Sequence, residues 1–212
     1  MPVAMTNHAG AEINASVSVD ELASPETIFV GIDPGMFGAL SFFRQSGELI
    51  AVQDMPIVRN GTLKWVDGPV LLRRLRNKMK DGRLVAIVER VHAMPENGSQ
   101  GGFSQGSTLC SLLAILQIAN AKIELVAPQS WKRAMGLIRS REEKLTDSER
   151  KKLSLDKART LFPKAPLDLE KHHGRAESLL IAHWYLEKTG AFRAAVSATE
   201  LDAPKQPSLA ND

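Results

Sequence analysis

One cysteine stands in the 212 residues, Cys110, so a disulfide framework and a zinc site built from several thiolates are both excluded. It lies inside the apolar run "STLCSLLAILQIA", where a small core residue is expected. No apolar run reaches the roughly 18 residues that a membrane span needs. Residues 1–43 contain neither Lys nor Arg. A signal peptide needs a positive start and a transit peptide is Arg-rich, so neither is expected in the Ala-, Ser- and Val-rich opening segment. A cytoplasmic location follows as the expectation.

What the ends lack in positive charge, the middle holds in excess. Glu12, Asp20, Glu21 and Glu26 make residues 1–28 net −4, and residues 189–212 are net −1, which leaves +8 over 29–188. A basic domain between acidic tails points to a polyanionic partner, although solvated lysines produce the same balance. Residues 1–27 are expected to be a disordered acidic tail, 28–188 a single domain, and 189–212 a second disordered tail.

Within the domain, "TIFVGIDPG" reads as a strand ending at Asp33-Pro34-Gly35. "GALSFFRQ" and "ELIAVQDM" continue as two more strands of a meander. Val66, Val70, Leu71, Leu75 and Met79 recur at helical spacing among Arg73, Arg74, Arg76, Lys78 and Lys80, an amphipathic helix with a basic outer face. "RLVAIVERV" is a nearly continuous apolar run, as in a strand covered on both faces, and it ends at Glu89. A Gly-rich loop, "AMPENGSQGGFSQGS", is expected next. After it come a helix marked by Leu109, Leu112, Leu113 and Leu116, a strand "AKIELVAP", a short helix "QSWKRAMG", a charged stretch with room for one or two helices, and a last helix over about 175–187. The order βββαβαβα describes an α/β protein of the ribonuclease H-like fold, a mixed five-stranded sheet flanked by helices.

Three acids stand where a carboxylate is costly. Asp33 and Glu89 close apolar strands, and Glu177 is the lone acid in the first turns of an apolar helix. Singly, each has a plain reading: a turn cap, an ion pair with Arg90, a favourable position at a helix N-terminus. Strand ends and a helix start can also converge. Carboxylates brought together in that way cannot all stay ionised without a cation, and an all-oxygen site suits Mg²⁺ or Mn²⁺. Two such ions can activate a water and stabilise the leaving oxygen of a phosphodiester.

The segments "GIDPG" (31–35), "VERVHAMP" (88–95), "PQSWKRAMGL" (128–137) and "HHGRAESLLIA" (172–182) occur in the order found in the RuvC-like Holliday junction resolvases, and the chain resembles the phage and chloroplast branch of that family over roughly 28–188. The resemblance implies a bacterial or phage-encoded homodimer that binds four-way junction DNA and nicks symmetry-related strands with two Mg²⁺ or Mn²⁺ ions per active site. It assigns Asp33, Glu89 and Glu177 as catalytic metal ligands and Lys132 as a basic catalytic residue near the scissile phosphate. The family's fourth acid, in the pattern acid-x-G-R-A-E, is replaced here by His172. A neutral imidazole can ligate Mn²⁺ or serve as a general base, but it brings no negative charge. His173 stands four residues before Glu177 and could share its helix face, so it is the alternative ligand. Lys132, Arg133, Arg175, Phe103 and Gln105 are the DNA-contact candidates, with Arg175 alternatively pairing with Glu177 and Phe103 alternatively anchoring its loop. Trp131 reads as a packing residue. Two other functions fit the same residues: a catalytically weak junction-binding protein, and a nuclease for other branched DNA or RNA–DNA hybrids. An actin-like ATPase, which also opens on "GIDPG", requires a second domain of this kind and a longer chain.

Overall fold

The computed structural model describes residues 26–79, 82–91, 98–138 and 145–190. Apart from Glu26 and Thr27 at one end and Thr189 and Gly190 at the other, the two expected tails lie outside the described residues, as do Lys80 and most of "SREEKL".

The first three strands are β1 (Thr27–Ile32), β2 (Ala39–Arg44) and β3 (Leu49–Asp54), each antiparallel to the one before it. A short hairpin follows, β4 (Ile57–Asn60) and β5 (Leu63–Val66), which among the described residues pairs only with itself. Helix α1 (Gly68–Met79) leads to β6 (Arg83–Glu89), helix α2 (Gly98–Ile118) to β7 (Lys122–Val126). Helices α3 (Pro128–Ala134), α4 (Asp147–Leu161) and α5 (His173–Thr189) complete the chain. A single 3-10 turn, Glu170–His172, runs directly into α5.

The central sheet has the order β3-β2-β1-β6-β7, with β1, β6 and β7 mutually parallel. This is the mixed five-stranded α/β sheet of the ribonuclease H-like fold. The alternation along β1 divides the core. Ile28, Val30 and Ile32 face one layer with Leu71 and Leu75 of α1 and Leu112 and Leu116 of α2. Phe29 faces the other with Trp131, Leu155 and the buried face of α5, Leu179, Leu180 and Trp184. Both faces of β6 are therefore covered, which is why its sequence is apolar without alternation.

The two faces are closed unequally. A Cβ built on Gly31 would lie 2.2 Å from the carbonyl oxygen of Ser178, and one on Gly174 would lie 2.2 Å from that of Phe37. The backbone of α5 thus rests directly on β1 and on the loop after it, an approach that only glycine permits. A buried hydroxyl pair fixes the crossing: Ser178 Oγ donates to the Arg175 carbonyl and lies 2.6 Å from Ser41 Oγ on β2. With its single proton so used, Ser178 accepts from Ser41.

Three expectations need correction. The Gly-rich loop over 93–107 is helical from Gly98 onward, while residues 92–97 lie outside the described residues. Glycine costs about 1 kcal/mol per interior helical position. Extending a helix already nucleated by the packed turns around Leu112 and Leu116 nevertheless costs far less than starting one. Thr108 adds a bond to the Ser104 carbonyl at 2.8 Å. Cys110 is exposed, not buried. Leu112 and Leu116 define the sheet-facing side of α2, and a residue two positions before Leu112 points about 200° away from it. Val66 closes β5 instead of opening α1, and the β4–β5 hairpin has no counterpart in the expected element order.

Candidate functional site

Parallel pairing brings the first two acids together. Ile32 of β1 is in register with Val88 of β6, so the next residues, Asp33 and Glu89, leave the same edge of the sheet side by side. Glu89 itself pairs with Val126 of β7. Helix α5 starts over this edge, held there by Gly31 and Gly174, and carries Glu177 to the same place. A cleft of about 370 Å³ is lined by Asp33, Glu89 and Glu177 together with Lys132 and Gln105.

Lys132 comes from α3, whose start is set by Pro128 at the first helical turn. Its Nζ is 3.3 Å from Glu177 Oε1 and 4.0 Å from Glu89 Oε1. Below it lies Trp131, fully buried, with the ammonium 5.0 Å from the indole centroid. The expected packing role of Trp131 and the expected placement of Lys132 beside the acids are thus linked: the indole is the floor on which the lysine stands. Ser154 of α4 donates to the same Glu177 oxygen at 3.2 Å.

The electrostatics follow from crowding and burial. Asp33 is pushed up from 3.8 to about 7, first by desolvation and then by Glu177, against the Gly35 amide that donates to its Oδ1 at 3.1 Å. Glu89 is pushed up from 4.5 to about 8 by burial, with Lys132 opposing and Glu177 and Asp33 adding to the rise. Burial alone would lower Lys132, but Glu177, Glu89 and Asp33 outweigh it and hold the ammonium protonated above its usual range. A group of acids arranged in this way calls for positive charge, and one lysine supplies part of it. Among the described residues, no three His, Cys, Asp or Glu side chains stand close enough to ligate one ion as they are placed here. The donor set is nonetheless all oxygen and net anionic even with Lys132, which suits a hard divalent cation.

The two histidines separate. Nδ1 of His172 accepts the Leu169 amide at 3.3 Å, closing the 3-10 turn. Burial, Arg175 and Lys171 lower its basicity against Asp54 and Asp168, and none of the three site carboxylates acts on it. The structure does not bring His172 to the acids, because a residue in the 3-10 turn is rotated away from the face that α5 turns toward β1. His173 is the one that arrives. It lines a cleft of about 460 Å³ with Glu177, Lys132, Ser154, Arg150 and Lys151, and a second cleft with Asp33. Burial and Lys151 hold it below its ordinary value, against Glu177, so it is a neutral imidazole at physiological pH.

Arg175 does not meet Glu177. It grips Asp54 at the end of β3 through two nitrogens, at 2.5 and 2.7 Å, and donates to the Pro166 carbonyl at 3.1 Å. Asp54 lies in "AVQDM" as an ordinary strand-end acid, and only the tertiary structure identifies it as the partner. Arg133 is exposed on α3. Phe103 and Gln105 stand on α2 instead of in a loop, Phe103 with 79% of its surface exposed and Gln105 at the rim of the cleft that holds the carboxylates. No local pattern in the sequence marks Lys151 and Ser154. They sit three apart on one face of α4, but that face could be assigned to the site only once α4 was seen to pack against α5.

No family model matches the chain, and no curated protein does. Among solved structures, T. thermophilus RuvC in complex with Holliday junction substrate is similar at 17% identity, covering 81% of this chain and 96% of that one, with a TM-score of 0.47. The yeast mitochondrial Holliday junction resolvase Ydc2 is similar at 16% identity, covering 86% and 87% of the two chains, with a TM-score of 0.49. A further structure of Thermus thermophilus RuvC is similar at 16% identity, covering 80% of this chain and 96% of that one, with a TM-score of 0.39.

Proposed function

We propose that this chain is a structure-selective DNA endonuclease that nicks symmetry-related strands of four-way junctions as a homodimer. One observation carries the reading. Asp33, Glu89 and Glu177 leave two parallel strands and a helix to meet at one sheet edge, with Lys132 at 3.3 Å from Glu177 and basic α4 residues beside them. Carboxylates raised by burial and mutual repulsion, set in a cleft that also offers ammonium groups, fit a metal-assisted attack on a phosphodiester.

Asp33, Glu89 and Glu177 would hold the divalent ions, Mg²⁺ or Mn²⁺, and His173 is the described imidazole placed to join them. When bound, the ions supply a nucleophilic water at neutral pH and neutralise charge on the phosphate. The chain's own residues do the rest. Lys132, propped on Trp131, offers a fixed positive charge toward the non-bridging phosphate oxygens, where charge grows in the transition state. Ser154 orients Glu177 by its hydrogen bond. Arg150 and Lys151, at the mouth of the cleft, receive the neighbouring phosphates of the strand, and Arg133 on α3 extends the basic path. Phe103 on α2 is placed to stack on bases next to the cleaved bond.

A second reading, a junction-binding protein with weak catalysis, is favoured by one observation: His172, in the place of the family's fourth acid, turns to the Leu169 amide and leaves the acids one ligand short. Incubating a labelled four-way junction with the protein in Mg²⁺ and in Mn²⁺ separates the two readings. Paired, symmetry-related nicks in either metal carry the first. Tight binding without nicks in both carries the second. Equal cutting of linear RNA–DNA hybrids would overturn junction selectivity altogether.

A further inference from the structure

β7 is the last strand of the order β3-β2-β1-β6-β7, and among the described residues no strand pairs with its outer edge. The Val126 carbonyl accepts the Arg90 amide at 2.8 Å, so the backbone of Val126 turns toward β6. In a strand the N–H and C=O of successive residues point to opposite sides. Glu124 therefore turns with Val126, while Ile123 and Leu125 present their backbone groups to the open edge. Leu125 is also 51% exposed. A bare edge that carries an exposed leucine is a template for one more strand.

A groove leads to this edge. It encloses about 400 Å³ and is lined by Thr27, Met79, Arg83, Asn120 and Lys122, so it runs from the first residue of β1 past the start of β6 to the start of β7. It lies at the opposite end of these strands from Asp33 and Glu89. The chain that precedes Thr27 is the segment nearest to it. Glu26 is held by Arg44, which leaves Glu12, Asp20 and Glu21 as the other acids before β1. Arg83 and Lys122 in the groove are their complement in charge. The sheet's other outer strand, β3, starts where Arg44 already holds both Glu26 and Glu48.

The sequence supplies an occupant. Residues 13–19, "INASVSV", place Ile13, Ala15, Val17 and Val19 in strict alternation with Asn14, Ser16 and Ser18, the period of a strand with one apolar face. We propose that residues 13–19 of the same chain add to the outer edge of β7 as a sixth strand, antiparallel to it, with Asp20 and Glu21 laid in the groove against Arg83 and Lys122. The reach is sufficient. Three strand spacings separate β1 from such a strand, about 14 Å, and residues 20–26 can span up to about 23 Å. The direction follows from the connection, because a chain that enters β1 at Thr27 must descend along β7 first. Residues 13–19 then leave the tail expected to be disordered, and the acids after them are kept at the end of the sheet away from the basic cleft.

The test reads amide hydrogen exchange by NMR in the full chain. The Ile123 and Leu125 amides should exchange at least about tenfold more slowly in wild type than in a chain carrying Ser16→Pro and Val17→Pro. Neighbouring residues of a strand donate to opposite sides, so the two prolines together remove a donor to β7 in either register. Asp20→Lys with Glu21→Lys should speed the same two amides at least about threefold, by opposing Arg83 and Lys122. The Ile87 and Val88 amides of β6 should keep their rates in both variants, which checks that folding is kept. Equal rates at Ile123 and Leu125 in all three chains would overturn the added strand. Cross-linking then identifies the donor. With Cys110→Ser, Val17→Cys and Leu125→Cys, a short bis-maleimide should join the two cysteines within one chain. No cross-link, or one mainly between chains in a mixture of unlabelled and ¹⁵N-labelled protein, would overturn the assignment to the same chain. None of these outcomes depends on the nuclease reading.

Discussion

Lys132 Nζ and Ser154 Oγ converge on a single oxygen of Glu177, at 3.3 and 3.2 Å. The same ammonium reaches Glu89 at 4.0 Å, so one cation from α3 ties the sheet edge to α5. Without it, two carboxylates whose side chains are only 12% and 16% exposed would face one another without the ammonium that bridges them.

Replacing that cation by an isosteric apolar chain is therefore the most direct probe of the site. Lys132→Met should lower single-turnover nicking of a four-way junction by about 10²–10³-fold, the cost of losing one preorganised charge at a developing anion. The metal-free protein should also melt at a lower temperature, because Glu89 and Glu177 lose their nearest positive charge. A nicking rate equal to wild type would remove Lys132 from the site.

The raised carboxylates make stability and metal binding depend on pH in a defined direction. Asp33 titrates at about 7 in the fold against 3.8 unfolded, and Glu89 at about 8 against 4.5. The folded state binds protons more tightly, so these two groups contribute stability that is fully present below about pH 4 and lost as pH rises to about 8. In EDTA the melting temperature should fall across pH 5–8, and Asp33→Asn or Glu89→Gln should flatten that fall. Divalent metal must displace the protons, so its affinity should rise over the same window, with about one proton or more released per protein at pH 7. Calorimetry of Mn²⁺ binding in buffers of different ionisation enthalpy reads the number directly, and zero release at pH 7 would contradict the assigned environment.

The adjacent histidines should behave differently. His173 faces Glu177 and lines the clefts that meet at the acids, whereas His172 closes the 3-10 turn through the Leu169 amide. His173→Ala should reduce Mn²⁺-supported nicking at least about tenfold more than His172→Ala does. His172→Asp should shift the metal requirement little, since the new carboxylate would stand with Arg175 and Asp54 and away from Asp33. A strong gain in Mg²⁺-supported nicking by His172→Asp would show that the turn rearranges to bring position 172 to the acids.

Arg175 and Asp54 should couple through stability. Asp54 is 63% exposed and Arg175 21%, so solvent screening limits the pair to about 0.5–1 kcal/mol despite its two-pronged geometry. A double-mutant cycle of Arg175→Ala and Asp54→Ala, read by urea unfolding, should return that coupling at low salt and less at 0.5 M NaCl. Coupling near zero, with junction affinity falling for Arg175→Ala alone, would restore the arginine to a DNA-contact role.

Much of this molecule is determined by local sequence. Alternating and continuous apolar runs define β1, β2, β3, β6 and β7, and with the helical spacings between them they set the succession of these strands and helices along the chain. Desolvation makes Asp33 and Glu89 conspicuous at the ends of those runs and Glu177 conspicuous at the start of an apolar helix, so the acids are legible in the sequence. The tertiary structure decided what depends on rotation and on distant partners. Whether position 172 or 173 faces the acids turns on a 3-10 turn that sequence periodicity does not resolve. That Arg175 takes Asp54, that Lys132 reaches both glutamates, and that Lys151 and Ser154 belong to the site follow from how α3, α4 and α5 pack on the sheet. The glycines of α2 and the isolated hairpin escape the sequence pattern for a related reason. Gly-rich sequence favours a turn locally, but the packed turns around Leu112 and Leu116 extend the helix through it. A hairpin of two four-residue strands is held by its neighbours more than by its own pattern.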